Sequence, residues 1–156
     1  MTEARSLMTK KVVTIQATSP IQAAHDLMKR HNIRHLPVVD QAGKLVGMLS
    51  DRDIQRAINV KLVNETDTEM TFDPHQLVED FMNWPVQTVD EKTSVVELAK
   101  MMISEKVSAF VVNAPNYYMK GIITTDDMLQ YLIETINSTE TIKEYPIREV
   151  FWRNPE

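Results

Sequence analysis

The stretch GMLSDRD, Gly47 to Asp53, returns 74 residues later as GIITTDD, Gly121 to Asp127. Each reads glycine, two apolar residues, a hydroxyl residue, two polar residues and Asp. The apolar pair suits the end of a strand. A Ser or Thr three residues ahead of an acid suits a helix start, where the hydroxyl and the acid satisfy orphan backbone N–H groups as a capping box. A helix start would explain one such heptapeptide. Two of them in matched surroundings point to an internal repeat.

Sliding the chain against itself by 74 residues aligns 7–58 with 81–132 without a gap, with identities at Met8/Met82, Val12/Val86, Thr14/Thr88, Met28/Met102, Val38/Val112, Gly47/Gly121 and Asp53/Asp127. A fixed offset over this length is the mark of duplication, and two copies suit a pseudo-symmetric pair. Each copy opens on a short extended piece, VVTI or VQTV. In the first copy Ser19 is the expected N-cap, with Pro20 at the first helical position and Gln22 completing a capping box. Ser94 and Glu97 play that part in the second copy. Apolar residues then recur at helical spacing (Ile21, Ala24, Leu27, Met28; Val95, Leu98, Ala99, Met102), the Met residues reading as core filler. The runs IRHLPVV and VSAFVV are too short for helices and rich in Val, hence buried strands. A turn at Asp40–Gly43 uses glycine's freedom at positive φ. Strands LVGML and MKGII follow, then a second helix whose Ile54, Ala57 and Ile58, or Met128, Leu129, Leu132, Ile133 and Ile136, are expected to face inward. The fold class is α+β, two β-α-β-β-α repeats with pseudo-twofold symmetry: 1–60 and 78–136, an acidic linker at 61–77, and a tail at 137–156.

Composition narrows the function. Hydrophobic content of 43% and charged content of 25% are those of a globular chain. Zero Cys excludes disulfides, thiol chemistry and Cys-based zinc sites. No apolar run is long enough to span a bilayer and the N-terminus lacks a signal-peptide core, so the expected location is cytoplasmic, without membrane contact. A net charge of −5 argues against nucleic acid as a partner, and the acidic excess is concentrated in 59–80. His31 and His35 fall on either side of a helix-to-strand passage, so they do not share a helix face as zinc ligands do. Nothing resembles an activated nucleophile, a P-loop or a dinucleotide glycine loop, so neither an enzyme nor a catalytic cofactor is expected.

Several motifs carry a family resemblance: Met8-Thr9 with Val12 and Thr14; Ile33-Arg-His-Leu-Pro-Val-Val39-Asp40; Gly43-Lys-Leu-Val-Gly47; Ser50 with Asp53; and, in the second copy, Met82, Val86, Thr88, Val107-Ser-Ala-Phe-Val-Val112, Gly121, Thr124 and Asp127. In these the chain resembles a tandem pair of CBS domains, the modules named after cystathionine β-synthase, over about 7–135. The second copy departs at its hairpin, where Asn113-Ala-Pro-Asn-Tyr-Tyr118 replaces the usual acidic turn with its glycine.

The resemblance implies a regulatory module that binds an adenine nucleotide or related adenosyl compound (AMP, ADP, ATP) in clefts between the repeats, pairs into a homodimer through its helices, and modulates a regulated protein still to be identified. Carried over residue by residue, one cleft would use Thr124 and Asp127 with Lys10, Val12, Ile33, Arg34 and His35. The other would use Ser50, Arg52 and Asp53 with Trp84, Val86, Val107, Ser108 and Ala109. The chemistry is coherent: an ionised Asp can accept from both hydroxyls of a ribose, and a helix's first turn favours its charge. Lys10, Arg34 and His35 suit phosphate oxygens, and Trp84 suits a base, so the two clefts should differ. The alternative is a ligand-free scaffold acting through its dimer surface and its tail, EYPIREVFWRNPE from Glu144, whose Ile147, Val150, Phe151 and Trp152 are expected to pack on the same chain.

Overall fold

The computed structural model describes residues 1–137 apart from Thr66, Ala114, Pro115 and Tyr117. The apolar tail, and three residues of the second hairpin loop, therefore lie outside the described residues. The elements run α1 (Ala4–Leu7), β1 (Ile15–Gln16), α2 (Ile21–His31), β2 (His35–Val39), β3 (Leu45–Ser50), α3 (Asp51–Gln55), β4 (Ile58–Leu62), β5 (Thr68–Phe72), a 3-10 turn at Val78–Asp80, β6 (Thr88–Val89), α4 (Val95–Glu105), β7 (Ala109–Asn113), β8 (Met119–Thr124) and α5 (Thr125–Asn137).

Two equivalent three-stranded sheets result, β1-β2-β3 and β6-β7-β8. In each, a parallel pair is followed by an antiparallel hairpin. The 74-residue offset governs the fine detail. His35 pairs with Ser50 as Ala109 does with Thr124, and the register slips at Val38/Val39 as it does at Val112/Asn113. Asn32 and Lys106, which end α2 and α4, both take the left-handed conformation, at φ 50° and 56°. Gly43 supplies its expected positive φ, 81°.

The halves are interlocked at their N-terminal ends. Thr9 and Ile122 exchange backbone hydrogen bonds of 2.9 and 3.0 Å, and Asn83 and Met48 do the same at 2.8 and 2.9 Å. Ala4, Leu7 and Met8 pack in the second half's core with Leu98, Phe110 and Ile123. Val78, Phe81 and Met82 pack in the first half's core with Ile21, Leu36 and Leu49. Each core is thus completed from the other copy, and each fully buried Leu, Ile or Phe contributes about 1.5–3 kcal/mol by leaving water.

This crossing explains the glycine that opens each copy of the repeated stretch. A Cβ on Gly121 would stand 2.7 Å from Met8 Sδ and 2.8 Å from the Thr9 carbonyl oxygen; on Gly47 it would stand 2.5 Å from Met82 Sδ. The crossing chain leaves no room for a side chain.

Three expectations are corrected. Ser19 does not cap α2: Pro20 occupies the N-cap with no side-chain hydrogen bond, while Ser19's carbonyl accepts from Val78 N–H at 2.9 Å. Ser94 and Glu97 do form their capping box. Second, the linker is not featureless. Helix α3 stops at Gln55, Ile58 enters a strand rather than a helix, and β4 pairs with β5 as a hairpin from Ile58↔Phe72 to Leu62↔Thr68. The alternation of Ile58, Val60 and Leu62 with Asn59 and Lys61 is a strand pattern, and it overrides continuation of the helix. Third, α5 does not turn all its apolar residues inward: Leu129, Leu132 and Ile133 are 56%, 50% and 49% exposed.

Candidate functional site

Where β3 turns into α3 and β8 into α5, backbone and side chain combine in the same way. Ser50 Oγ accepts from Asp53 N–H, and Asp53 Oδ2 accepts from Ser50 N–H at 2.8 Å and from Ser50 Oγ–H at 2.8 Å. Asp127 Oδ2 accepts from Thr124 N–H at 2.7 Å and Thr124 Oγ1–H at 3.0 Å. Each helix start is capped by its own acid.

The two carboxylates differ in everything else. Asp53, only 7% exposed, also accepts at Oδ2 from Asn83 Nδ2 (2.8 Å) and at Oδ1 from Arg56 Nη2 (3.0 Å). Asp127 is half-buried, and no further hydrogen bond reaches it among the described residues.

A cavity of about 240 Å³ lies beside Asp127, lined by Thr9, Lys11, Val12, Val13, Asn32, Ile33, Arg34, His35, Ile122, Thr124, Asp126 and Asp127. Val12, Ile33, Arg34, His35, Thr124 and Asp127 are therefore brought together. Lys10 is not; its neighbour Lys11 takes the wall position. The second cleft, about 630 Å³, is lined by Arg34, His35, Met48, Ser50, Asp51, Arg52, Asn83, Pro85, Val86, Gln87, Lys106, Val107, Ser108, Ala109 and Thr125. It gathers Ser50, Arg52, Val86, Val107, Ser108 and Ala109. Asp53 stays behind the wall, and Trp84, 73% exposed, does not line it. Lys10 and Trp84 are equivalent positions in the two copies, and the following residues, Lys11 and Pro85, face the clefts instead.

The charge difference expected between the clefts is also corrected. Arg34 and His35 line both clefts, and the larger one adds Arg52 and Lys106. Cations are thus not the preserve of the Asp127 side. Arg34 Nη2 donates to Asp126 Oδ1 at 2.7 Å, a solvent-exposed pair worth about 1 kcal/mol or less. His35 Nε2 lies 2.8 Å from Ser108 Oγ, a bond across the two copies. Burial holds the His35 pKa below its ordinary 6.5, Asp51 opposing and Arg34 reinforcing, which favours the neutral ring.

Sequence reading missed Lys11, Asp126 and Lys106 on the cleft walls, and Asn83 and Arg56 at Asp53. The signal for the last two is the offset itself: Thr9 and Gln130 stand at their places in the other copy. Among the described residues no group of three or more His, Asp or Glu could hold a metal ion, and no helix is long and apolar enough to cross a membrane.

Comparison with known proteins agrees with this geometry. The model of the CBS domain matches twice, at 4–60 and 78–134. A CBS domain-containing protein of Dictyostelium discoideum is 29% identical over 134 residues, covering 85% of this chain and 92% of that one. Three longer archaeal relatives, 28–30% identical, are spanned over only 23–32% of their length. The CBS domain pair of protein MJ0100, solved in complex with 5′-methylthioadenosine and S-adenosyl-L-methionine, superposes with a TM-score of 0.72 at 26% identity, over 86% of this chain and 98% of that one. The cytosolic domain of the Mg²⁺ channel MgtE in complex with ATP superposes with a TM-score of 0.64 at 28% identity, over 83% of this chain and 48% of that one. The matched copies carry the same 74-residue offset as the sheets, the crossing segments and the glycine contacts, and the chain belongs to the CBS-domain family as a tandem pair.

Proposed function

We propose that this chain is a regulatory module that senses an adenosine-type ligand, AMP, ADP, ATP or a related adenosyl compound, and passes the binding on to a partner protein. The observation that carries the reading is the Asp127 carboxylate. It sits on a cavity wall with Oδ1 clear of donors among the described residues, beside apolar Val12 and Ile33 and cationic Lys11 and Arg34. A ribose offers two adjacent hydroxyl donors to such a carboxylate, a flat base fits between branched apolar side chains, and guanidinium and ammonium groups suit phosphates. Solved relatives holding S-adenosyl-L-methionine and ATP support the same ligand class. A thermal-shift series with adenosine, AMP, ADP, ATP and S-adenosylmethionine tests it: a ligand at a hundredfold excess over its dissociation constant adds about 2.7 kcal/mol of stability. No shift with any of them at millimolar concentration would leave the ligand-free scaffold as the better account.

Self-association belongs to the same reading. Val96, Ile103, Leu129, Leu132 and Ile133 on α4 and α5 are 49–68% exposed, an apolar helical surface that a closed twofold homodimer would cover. Light scattering on the 18.0 kDa chain should return twice the chain mass at micromolar concentration; the chain mass itself would remove this part.

A further inference from the structure

We infer that the Ser50–Asp53 site is closed to ribose by two of the chain's own side chains, Asn83 and Arg56, so that one nucleoside binds per chain and binds at Asp127. This rests on the adenosine reading for its ligand class. The support is a controlled comparison that the duplication provides.

A carboxylate offers about four lone-pair positions to donors. Asp53 meets four donors: Ser50 N–H, Ser50 Oγ–H, Asn83 Nδ2–H and Arg56 Nη2–H, all within 2.8–3.0 Å. Asp127 meets two among the described residues, Thr124 N–H and Thr124 Oγ1–H, both at Oδ2. The two positions left on Asp127 match the two hydroxyls of a vicinal diol. On Asp53 three donors meet Oδ2 and Arg56 takes one of the two positions on Oδ1, which leaves one where a vicinal diol needs two. The backbone is not the cause, because Asn83 and Thr9 make the same pair of main-chain bonds, to Met48 and to Ile122. The side chains are: Thr9 presents a short hydroxyl where Asn83 presents an amide. Gln130, in Arg56's place, donates along its own helix to Glu134 at 2.9 Å. Arg56, the residue that ends α3, also donates to the Phe81 carbonyl at 3.2 Å, which ties its side chain to the crossing segment. The result is visible in the clefts: Asp127 lines its cavity and Asp53 does not line the larger one.

The test exchanges the side chains between copies. On an Asp127→Ala background, which lacks the second-half carboxylate, Asn83→Thr with Arg56→Gln should open the first-half site. Calorimetry should then find one adenosine per chain, against binding about a hundredfold weaker or absent for Asp127→Ala alone. The reciprocal pair, Thr9→Asn with Gln130→Arg, should close the Asp127 site and weaken adenosine about tenfold or more. Melting curves show which variants are folded, and either exchange suffices if the other unfolds the chain. A folded Asn83→Thr, Arg56→Gln variant that takes no adenosine overturns the inference. So does a folded Thr9→Asn, Gln130→Arg variant with wild-type affinity, or a wild-type chain that binds two. A wild-type chain that binds none refutes the adenosine reading of Asp127; if the opened first-half site then takes one, the closure by Asn83 and Arg56 still stands.

Discussion

In the first half Asp53 is enclosed by donors from Ser50, Asn83 and Arg56, whereas in the second half Asp127 meets only Thr124 among the described residues. The strand pairing, register slips and crossing segments around the two acids correspond, and each acid accepts from the N–H and hydroxyl of the residue three before it. A duplicated backbone thus leaves function to a few side chains. Two differences, Asn83 for Thr9 and Arg56 for Gln130, turn one acid into a structural clamp and leave the other facing a cavity. On the proposed reading, the same residue type at the same place in the fold serves stability in one half and recognition in the other.

The largest break in that comparison should come from removing each acid. Asp127→Ala should weaken adenosine binding about a hundredfold by deleting the acceptor of two hydroxyls, and cost the fold about 1 kcal/mol or less. Asp53→Ala should leave adenosine affinity within about twofold and cost the fold about 1–3 kcal/mol, because Asn83 and the Ser50 N–H lose their buried acceptor. Calorimetry and denaturant unfolding on both variants measure the two effects separately. Binding lost with Asp53 and kept without Asp127 would reverse the account.

A smaller contrast lies in the glycines. At Gly47 the nearest obstacle to a Cβ is the movable end of Met82, while at Gly121 it includes the fixed carbonyl oxygen of Thr9. Gly121→Ala should therefore destabilise by about 1–3 kcal/mol and Gly47→Ala by less. Equal losses in denaturant unfolding would mean that the two crossings are packed alike.

The smallest expected effect is pH dependence from His35, whose bond to Ser108 spans the copies. Burial lowers its folded pKa, so as pH falls the unfolded chain takes up this proton first. The stability it contributes is present above about 6.5 and is lost as pH falls from there towards the folded pKa. His35→Gln should flatten the stability profile between pH 7 and pH 5. A slope unchanged by that substitution would place the titrating group elsewhere.

Much of this was legible in the sequence because the repeat is gapless. The offset that aligned Gly47 with Gly121 also located the sheets and the capped acids. Identical positions, however, report what the copies share. Inequality resides at positions that differ, such as Asn83/Thr9 and Arg56/Gln130, and reading it required knowing which side chains the crossing segments deliver to Asp53. The hairpin at 58–72 was missed for a different reason. Its acidic residues resemble a solvated connection, and assigning Ile58 to the preceding helix parts it from Val60 and Leu62, with which it alternates. Lys10 and Trp84, carried over from the resemblance, lie ahead of the two-residue strands β1 and β6, and their neighbours Lys11 and Pro85 line the clefts instead.

The most direct measurement of the central claim is a crystal structure of the chain grown with excess adenosine. The account predicts one adenosine per chain, its two ribose hydroxyls within hydrogen-bond distance of Asp127 Oδ1, and Asp53 still held by Asn83 and Arg56. A nucleoside seated on Asp53, or one on each acid, would contradict it.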